Sequence, residues 1–326
     1  MNLNWLTYRL KITIYFLKKL LPSRMMRRYV RKKMCNMYPP KKYKLQLLTI
    51  DKKEHIEDYE KIVIPYCDNP EISIIIPVYN QFDFTYNCVK SIVMNTEKHN
   101  YEIIVADDCS NDKTQNIQNV ISNLKFCKNE KNKGFLKNCN DAVSCAKGKY
   151  FVFLNNDTQV LTNWLEPMKR ILDDIPNIGM TGAKLVYPNG VLQEAGGVIY
   201  KDGSAANFGN GCDPFAPLFN EIRDVDYISG AAIMIREELW RRIGGFDTRY
   251  IPAYYEDTDL AFMVRKMGYR VVLQPESVVI HFEGVSNGNT VKYQTIKYYQ
   301  ILNEKKFYAK WKKILRRYKK YDRLNK

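Results

Sequence analysis

The sequence predicts an α/β fold, a mostly parallel sheet flanked by helices, with basic helical extensions at both ends. Three observations carry this. Short unbroken apolar runs alternate with stretches of helical period, polar clusters stand at the ends of three of those runs, and the positive charge gathers at the two termini. Apolar runs without polar alternation suit strands buried on both faces, and strand–helix alternation implies right-handed βαβ units.

The first element is a helix over Met1 to Leu21, with Leu3, Leu6, Leu10, Ile14, Leu17 and Leu21 on one narrow arc. Arg9, Lys11, Lys18 and Lys19 interrupt it, so it is too charged to span a bilayer. With Arg24, Arg27, Arg28, Arg31, Lys32 and Lys33 following, it has the composition of an interfacial helix plus a polybasic patch. Packing on the protein's own core is the other reading. Pro39-Pro40 and Lys41 to Lys44 read as a linker, so residues 1–70 are assigned to an arm and linker.

From Glu71 the texture changes. Ser73 to Tyr79 is a buried strand, followed by a helix over about 83–95. Tyr101 to Ala106 is a second strand, ending in Asp107-Asp108. Another helix, a short strand near Leu124 to Cys127 and a helix from Phe135 to Ala146 precede the strand Tyr150 to Leu154, which ends in Asn155-Asn156-Asp157. Ligands bind at the carboxyl ends of strands in such sheets, which singles out Asn80, Asp107-Asp108 and residues 155–157.

Beyond Asp157 the alternation loosens. Strands are expected at Gly179 to Tyr187, Gly196 to Tyr200 and Tyr227 to Ile235, the last containing the small residues Ser229-Gly230-Ala231-Ala232. A helix over Glu237 to Ile243 stops at Gly244-Gly245, and one over Asp257 to Met267 stops at Gly268. Val271 to Gln274 and Val278 to His281 read as two strands, and a basic helical tail starts near Val291. The core domain is therefore 71–290, with a regularly alternating half (71–158) and a looser half (159–290), and 291–326 is the tail.

The net charge is +16, but thirteen Lys/Arg and no acidic residue lie between Met1 and Lys44, and eleven Lys/Arg against one Asp lie from Lys305 onward. The segment between is mildly acidic. Basic ends on an acidic body suit an anionic membrane surface better than nucleic acid; solvated Lys-rich ends are the plainer alternative. The eight cysteines form no C-x-x-C pair, which points to reduced thiols in a cytosolic compartment. With no secretory signal apparent, a cytoplasmic protein, peripheral on the inner face of the membrane, is expected.

Neither G-x-G-x-x-G nor G-x-x-x-x-G-K-[ST] occurs, nor G-x-S-x-G, which disfavours dinucleotide oxidoreductases, P-loop enzymes and α/β-hydrolases. Asp157 and His281 are the metal-ligand candidates, since a hard divalent ion bridging two phosphates needs few protein ligands and an imidazole shifts preference toward manganese. Alone, such an Asp157 is more often a helix N-cap and such a His281 more often a structural residue. Glu256-Asp257 stands at a helix start, open to a capping role or to removal of a proton from an attacking hydroxyl.

Taken together, the motifs resemble the family-2 inverting glycosyltransferases of the Rossmann-like GT-A fold, in the version found in bacterial surface-polysaccharide enzymes. The resemblance lies in Ser73-Ile-Ile-Ile-Pro-Val-Tyr-Asn80, Val105-Ala-Asp-Asp-Cys-Ser-Asn-Asp112, Asn132-Lys-Gly-Phe135, Leu154-Asn-Asn-Asp-Thr158, Ser229-Gly-Ala-Ala232, Gly244-Gly-Phe-Asp247, Tyr255-Glu-Asp-Thr-Asp-Leu260 and Val279-Ile-His-Phe-Glu-Gly284, in family order. It implies that Pro77, Tyr79, Asn80, Asp107, Asp108, Asn132, Gly134, Asn155, Asn156 and Gly230 surround the nucleotide sugar. It further implies that Asp157 and His281 hold a divalent metal, Mn2+ or Mg2+, and that Asp257, beside Glu256, is the general base. Two departures stand out. Asn155 leads the D-x-D position, removing one anionic ligand, and Cys109 replaces a Gly in a turn where positive φ comes cheaply only to Gly.

The implied reaction moves a sugar from a UDP- or dTDP-sugar to a saccharide or lipid-linked saccharide with inversion. No oligomeric state follows. The rival readings are a nucleotidyl-type enzyme on a similar sheet, and a non-catalytic membrane- or nucleic-acid-binding protein that works through its basic tails.

Overall fold

The structure is a computed structural model that describes residues 23–40, 45–96, 100–284 and 296–317. The interfacial helix expected over 1–21 lies outside them. The strands are β1 (Ile62–Val63), β2 (Ile72–Val78), β3 (Tyr101–Asp107), β4 (Ile121–Ser122), β5 (Lys125–Lys128), β6 (Tyr150–Leu154) and β7 (Thr158–Val160). They continue as β8 (Ile178–Val186), β9 (Leu192–Glu194), β10 (Gly197–Ile199), β11 (Ala205–Asn207), β12 (Arg223–Asp224), β13 (Ala232–Arg236) and β14 (Arg270–His281). The helices are α1 (Ser23–Met37), α2 (Phe82–Asn95), α3 (Phe135–Ala142), α4 (Glu166–Asp174), α5 (Glu237–Ile243), α6 (Glu256–Lys266) and α7 (Ile296–Arg317).

Every residue of β2, β3 and β6 is buried, because the sheet is covered on both faces. Alternate side chains divide between two cores. Ile75, Ile104, Phe151 and Phe153 join α3, α5, α6 and α7 on one face, whereas Ile74, Ile76, Ile103, Val152 and Leu154 join α2 and α4 on the other. On α2, Phe82, Tyr86 and Val89 recur at helical spacing and enter the second core.

The main sheet runs β12-β14-β8-β13-β6-β2-β3-β5, and off this path β7 pairs with β14 and β9 with β8. The expected parallel order holds through β6, β2, β3 and β5. Pro77 is tolerated in central β2 because the Val78 carbonyl faces β3, where it accepts from Asp108 N; its neighbour Pro77 therefore faces β6, whose pairing ends at Ile75.

Three elements differ from the sequence reading. β13 runs antiparallel to both β6 and β8. No crossover helix lies between β8 and β13, so the chain re-enters the sheet at the edge it left. The two strands expected near the end are one, β14, whose register shifts between Gln274 and Val278, where Pro275 has no N–H to give the ladder. The helix expected after Asp108 is a 3-10 run, Lys113–Asn119, capped by Asp112 accepting from Thr114 N at 3.0 Å.

The cysteine expectation is corrected at one pair. Cys127 and Cys145 are joined by a disulfide between the ends of β5 and the 3-10 turn after α3, while Cys35, Cys67, Cys88, Cys109, Cys139 and Cys212 are free. Spacing alone gave no sign that this pair becomes neighbours. Residues assigned to the arm and linker reach the core: Met34 of α1 joins one cluster, and Ile56, Tyr59, Ile62 and Ile64 join the other, with β1 paired to β4. Among the described residues, no helix is long and apolar enough to cross a membrane.

Candidate active site

β2, β3 and β6 end side by side and β13 begins beside them, so their flanking loops share one edge of the sheet. A cavity of about 470 Å³ opens there. Its wall includes Pro77, Tyr79, Asp108, Asn132, Gly134, Asn155, Asn156 and Gly230, together with Asp157, His281, Glu256 and Asp257. Asn80 and Asp107 stand behind this wall. Asn80 Oδ1 accepts from Asn111 N at 2.8 Å, and Asp107 Oδ1 accepts from Ser110 N at 3.0 Å, so both build the loops that carry the lining residues.

Asp108 is a clamp as well as a lining residue. Its carboxylate accepts from Asn129 Nδ2 at 3.0 Å, Lys133 N at 2.8 Å and Gly134 N at 2.7 Å, which ties the end of β3 to the loop before α3. Cys109 adopts φ 68°, so the turn expected to differ keeps its left-handed residue, without a glycine to make it cheap. Tyr79 is 48% exposed at the cavity mouth. Asn156 turns its amide toward α2, donating to Thr85 Oγ1 at 3.0 Å.

Asp157 and His281 meet through strand pairing. β14 lies antiparallel to β7 with His281 opposite Thr158, and Phe282 N donates to Asp157 O at 3.0 Å. His281 Nε2 consequently lies 3.2 Å from Asp157 Oδ1, with both residues buried. Gln193 sets the imidazole. Its amide nitrogen donates to Glu283 Oε2 at 2.9 Å, which turns its oxygen to His281 Nδ1 at 3.1 Å. With Nδ1 held to the Gln193 oxygen, Nε2 points at a carboxylate oxygen of Asp157. A carboxylate and an imidazole nitrogen that meet in this way can share a cation, and an imidazole held through its other nitrogen is the usual support of a metal-binding histidine. Among the described residues no group of three or more His, Cys, Asp or Glu could hold a metal ion.

The helix α6 begins at Glu256-Asp257. Before it, Tyr254 and Tyr255 take φ 75° and 74°, a conformation that bulky residues rarely adopt and that marks stored strain. Asp257 Oδ1 accepts from Thr258 N at 2.6 Å and Thr258 Oγ1 at 3.1 Å, and Oδ2 accepts from Gly230 N at 3.0 Å. Burial raises the Asp257 pKa, and these hydrogen bonds oppose the rise. Glu256 is driven well above the carboxylate range, by burial and then by the Asp257 charge, and its Oε2 finds no partner among the described residues. Burial favours the neutral form of Glu256, whereas the hydrogen bonds to Asp257 favour its charged form.

Gln193, Glu194 and Glu283 also line the cavity and were not among the sequence candidates. Glu194 is fully buried, accepts from Ser229 N at 2.9 Å and has its pKa pushed up to about 8 by burial. The only sequence signal was a polar pair inside the otherwise apolar run Val191 to Ile199.

Residues 73–242, more than half of the chain, match the model for Glycosyl transferase family 2. The chain belongs to that family. Among its relatives, an uncharacterized protein of Sinorhizobium fredii is 28% identical over 69% of this chain, and the O-antigen biosynthesis protein RfbC of Myxococcus xanthus is 25% identical over 69%. The aligned part is only 26% and 18% of those two proteins, so this chain spans a minor part of their length. The poly(ribitol-phosphate) beta-glucosyltransferase of Bacillus spizizenii is 36% identical over 32% of this chain and 18% of its own. The fold is that of GT-A glycosyltransferases. GalNAc-T7, solved with UDP, GalNAc and Mn2+, superposes with TM-score 0.62 at 17% identity, covering 76% of this chain and 50% of its own. The Pyrobaculum calidifontis mannosyltransferase PcManGT, solved with GDP-Man and Mn2+, gives 0.53 at 16%, covering 97% and 80%.

Proposed function

We propose that this family-2 protein transfers a sugar, with inversion, from a nucleoside-diphosphate sugar to a saccharide or lipid-linked saccharide in the making of a surface polysaccharide. The observation that carries the reading is one cavity that holds both the Asp157–His281 pair and the Asp257 carboxylate. The family and the O-antigen relative support the class of reaction and the polysaccharide setting. The UDP- or dTDP- preference rests on the sequence resemblance alone.

Asp257 is the proposed general base. Three of the roughly four lone-pair directions of its carboxylate are occupied, which leaves one on Oδ2 for the acceptor hydroxyl. Its burial strengthens it as a base, and burial of the neighbouring Glu256 disfavours a second charge beside it. As Oδ2 takes the proton, the acceptor oxygen bonds to the anomeric carbon while the bond to the diphosphate oxygen breaks. Asp157 and His281 would hold a divalent ion, Mn2+ or Mg2+, which would neutralise charge on the leaving diphosphate. Tyr79 would offer a face for the base, and Asn155, which lines the same cavity, would contact the donor.

The basic face of α7, with exposed Lys305, Lys306, Lys312, Lys313 and Arg316 beside Ile301 and Ile314, supports contact with an anionic membrane surface. The test of the reaction is a thermal-shift screen of UDP-, dTDP- and GDP-sugars with Mn2+, followed by NMR of the product anomer. One nucleotide series should raise the melting temperature and yield an inverted product. No stabilisation by any member, or a retained anomer, would contradict the proposal.

A further inference from the structure

The segment that delivers Glu256-Asp257 is held by a helix that the sequence presents as a basic tail. On the inner face of α7, Phe307, Trp311 and Leu315 follow helical spacing into the core, with the Phe307 ring 5.3 Å from Tyr255 and 5.0 Å from Phe262. One turn earlier lies Asn303, fully buried. Its amide nitrogen donates to the carbonyls of Tyr250 at 2.6 Å, Ala253 at 2.8 Å and Tyr254 at 3.1 Å.

Those three carbonyls belong to the stretch that ends in the two left-handed tyrosines. A backbone in so unfavourable a conformation persists only where its surroundings over-determine it. α7 supplies several of those surroundings. The single Tyr255 hydroxyl hydrogen is shared between Glu304 Oε2 at 3.1 Å and Gly203 O at 3.2 Å, and Lys310 and Trp311 both donate to the Asp259 carboxylate at 2.6 Å. Asn303 gathers three carbonyls of the loop through one amide nitrogen.

We propose that Asn303 is a positioning residue that fixes the 250–255 backbone and so aims Asp257 into the cavity. This rests on the reading of Asp257 as the base. It also makes α7, which lies beyond the family-matched residues 73–242, a working part of the active site. Removing the C-terminal helix therefore disables the protein for a reason unrelated to any binding by its basic residues.

The test compares the full-length wild type with Asn303→Asp, which keeps the shape but turns oxygens toward three carbonyls, and with the milder Asn303→Ser. Three quantities are read: hydrogen exchange across 250–258, the affinity for UDP, dTDP and GDP with Mn2+, and release of nucleoside diphosphate from the nucleotide sugar that best stabilises the wild type. Exchange should quicken in 250–258 and stay unchanged in 72–108, turnover should fall at least about tenfold, as expected of a misplaced catalytic group, and nucleotide affinity should hold within about twofold. Asn303→Ser should fall between. Unchanged exchange and turnover would overturn the proposal, as would nucleotide affinity and protection collapsing together across the domain. If the wild type turns over no nucleotide sugar, the transferase reading fails and the exchange result alone decides the role of Asn303.

Discussion

The backbone N–H of Gly230 donates to Asp257 Oδ2 at 3.0 Å, joining the loop before β13 to the first turn of α6. Two loops distant in sequence thereby fix one carboxylate at the cavity wall. The neighbouring amide, Ser229 N, is taken by Glu194. One short turn therefore holds two carboxyl groups.

The space beside Gly230 is measured. A Cβ there would lie 3.6 Å from Asp257 Cβ and 3.8 Å from its Oδ2, which is ordinary contact. Gly230→Ala should therefore keep turnover within about threefold, whereas the added methyls of Gly230→Val should press on Asp257 and cost at least about tenfold. Steady-state release of nucleoside diphosphate checks this, with nucleotide affinity as the control; equal loss in both variants would show that bulk near Asp257 is not the cause.

The proposed metal pair predicts that chelation abolishes turnover and that Mn2+ restores it. Because Gln193 orients His281, Gln193→Ala should raise the Mn2+ concentration for half-activation about tenfold to a hundredfold, the usual effect of losing such a support. A metal titration of activity decides, and full activity in thoroughly chelated protein would exclude the pair as a metal site.

Glu194 predicts a pH dependence of stability. Its folded pKa of about 8 lies above the usual 4.5, so the folded state disfavours its charge. The sign follows: this group destabilises the fold progressively as pH rises from about 4.5 to about 8, and the loss is complete above that. Glu194→Gln carries no such penalty, so its melting temperature relative to wild type should increase by a few degrees between pH 5 and pH 8.5. A constant difference across that range would show that Glu194 ionises normally.

Part of this was legible in the sequence. The runs Ser73 to Tyr79, Tyr101 to Ala106 and Tyr150 to Leu154 announce strands because both faces are buried, and their polar ends point to the cavity edge. Ten of the twelve residues expected to line a site beyond the metal pair do line the cavity; Asn80 and Asp107 instead shape its loops. The meeting of Asp157 with His281 was not derivable from spacing, since it depends on the register of β14 against β7, and the resemblance alone suggested it. Gln193 and Glu194 carried no motif. The inner face of α7 was hidden by its outward lysines, and Asn303 gives no local signal because its partners lie some fifty residues earlier.

The proposed base is tested most directly by Asp257→Asn, which keeps the shape but cannot take a proton. With the nucleotide sugar that best stabilises the wild type, the variant should release nucleoside diphosphate about a hundredfold to ten-thousandfold more slowly while binding the donor within about twofold of wild type. Turnover by Asp257→Asn close to the wild-type rate would contradict the assignment.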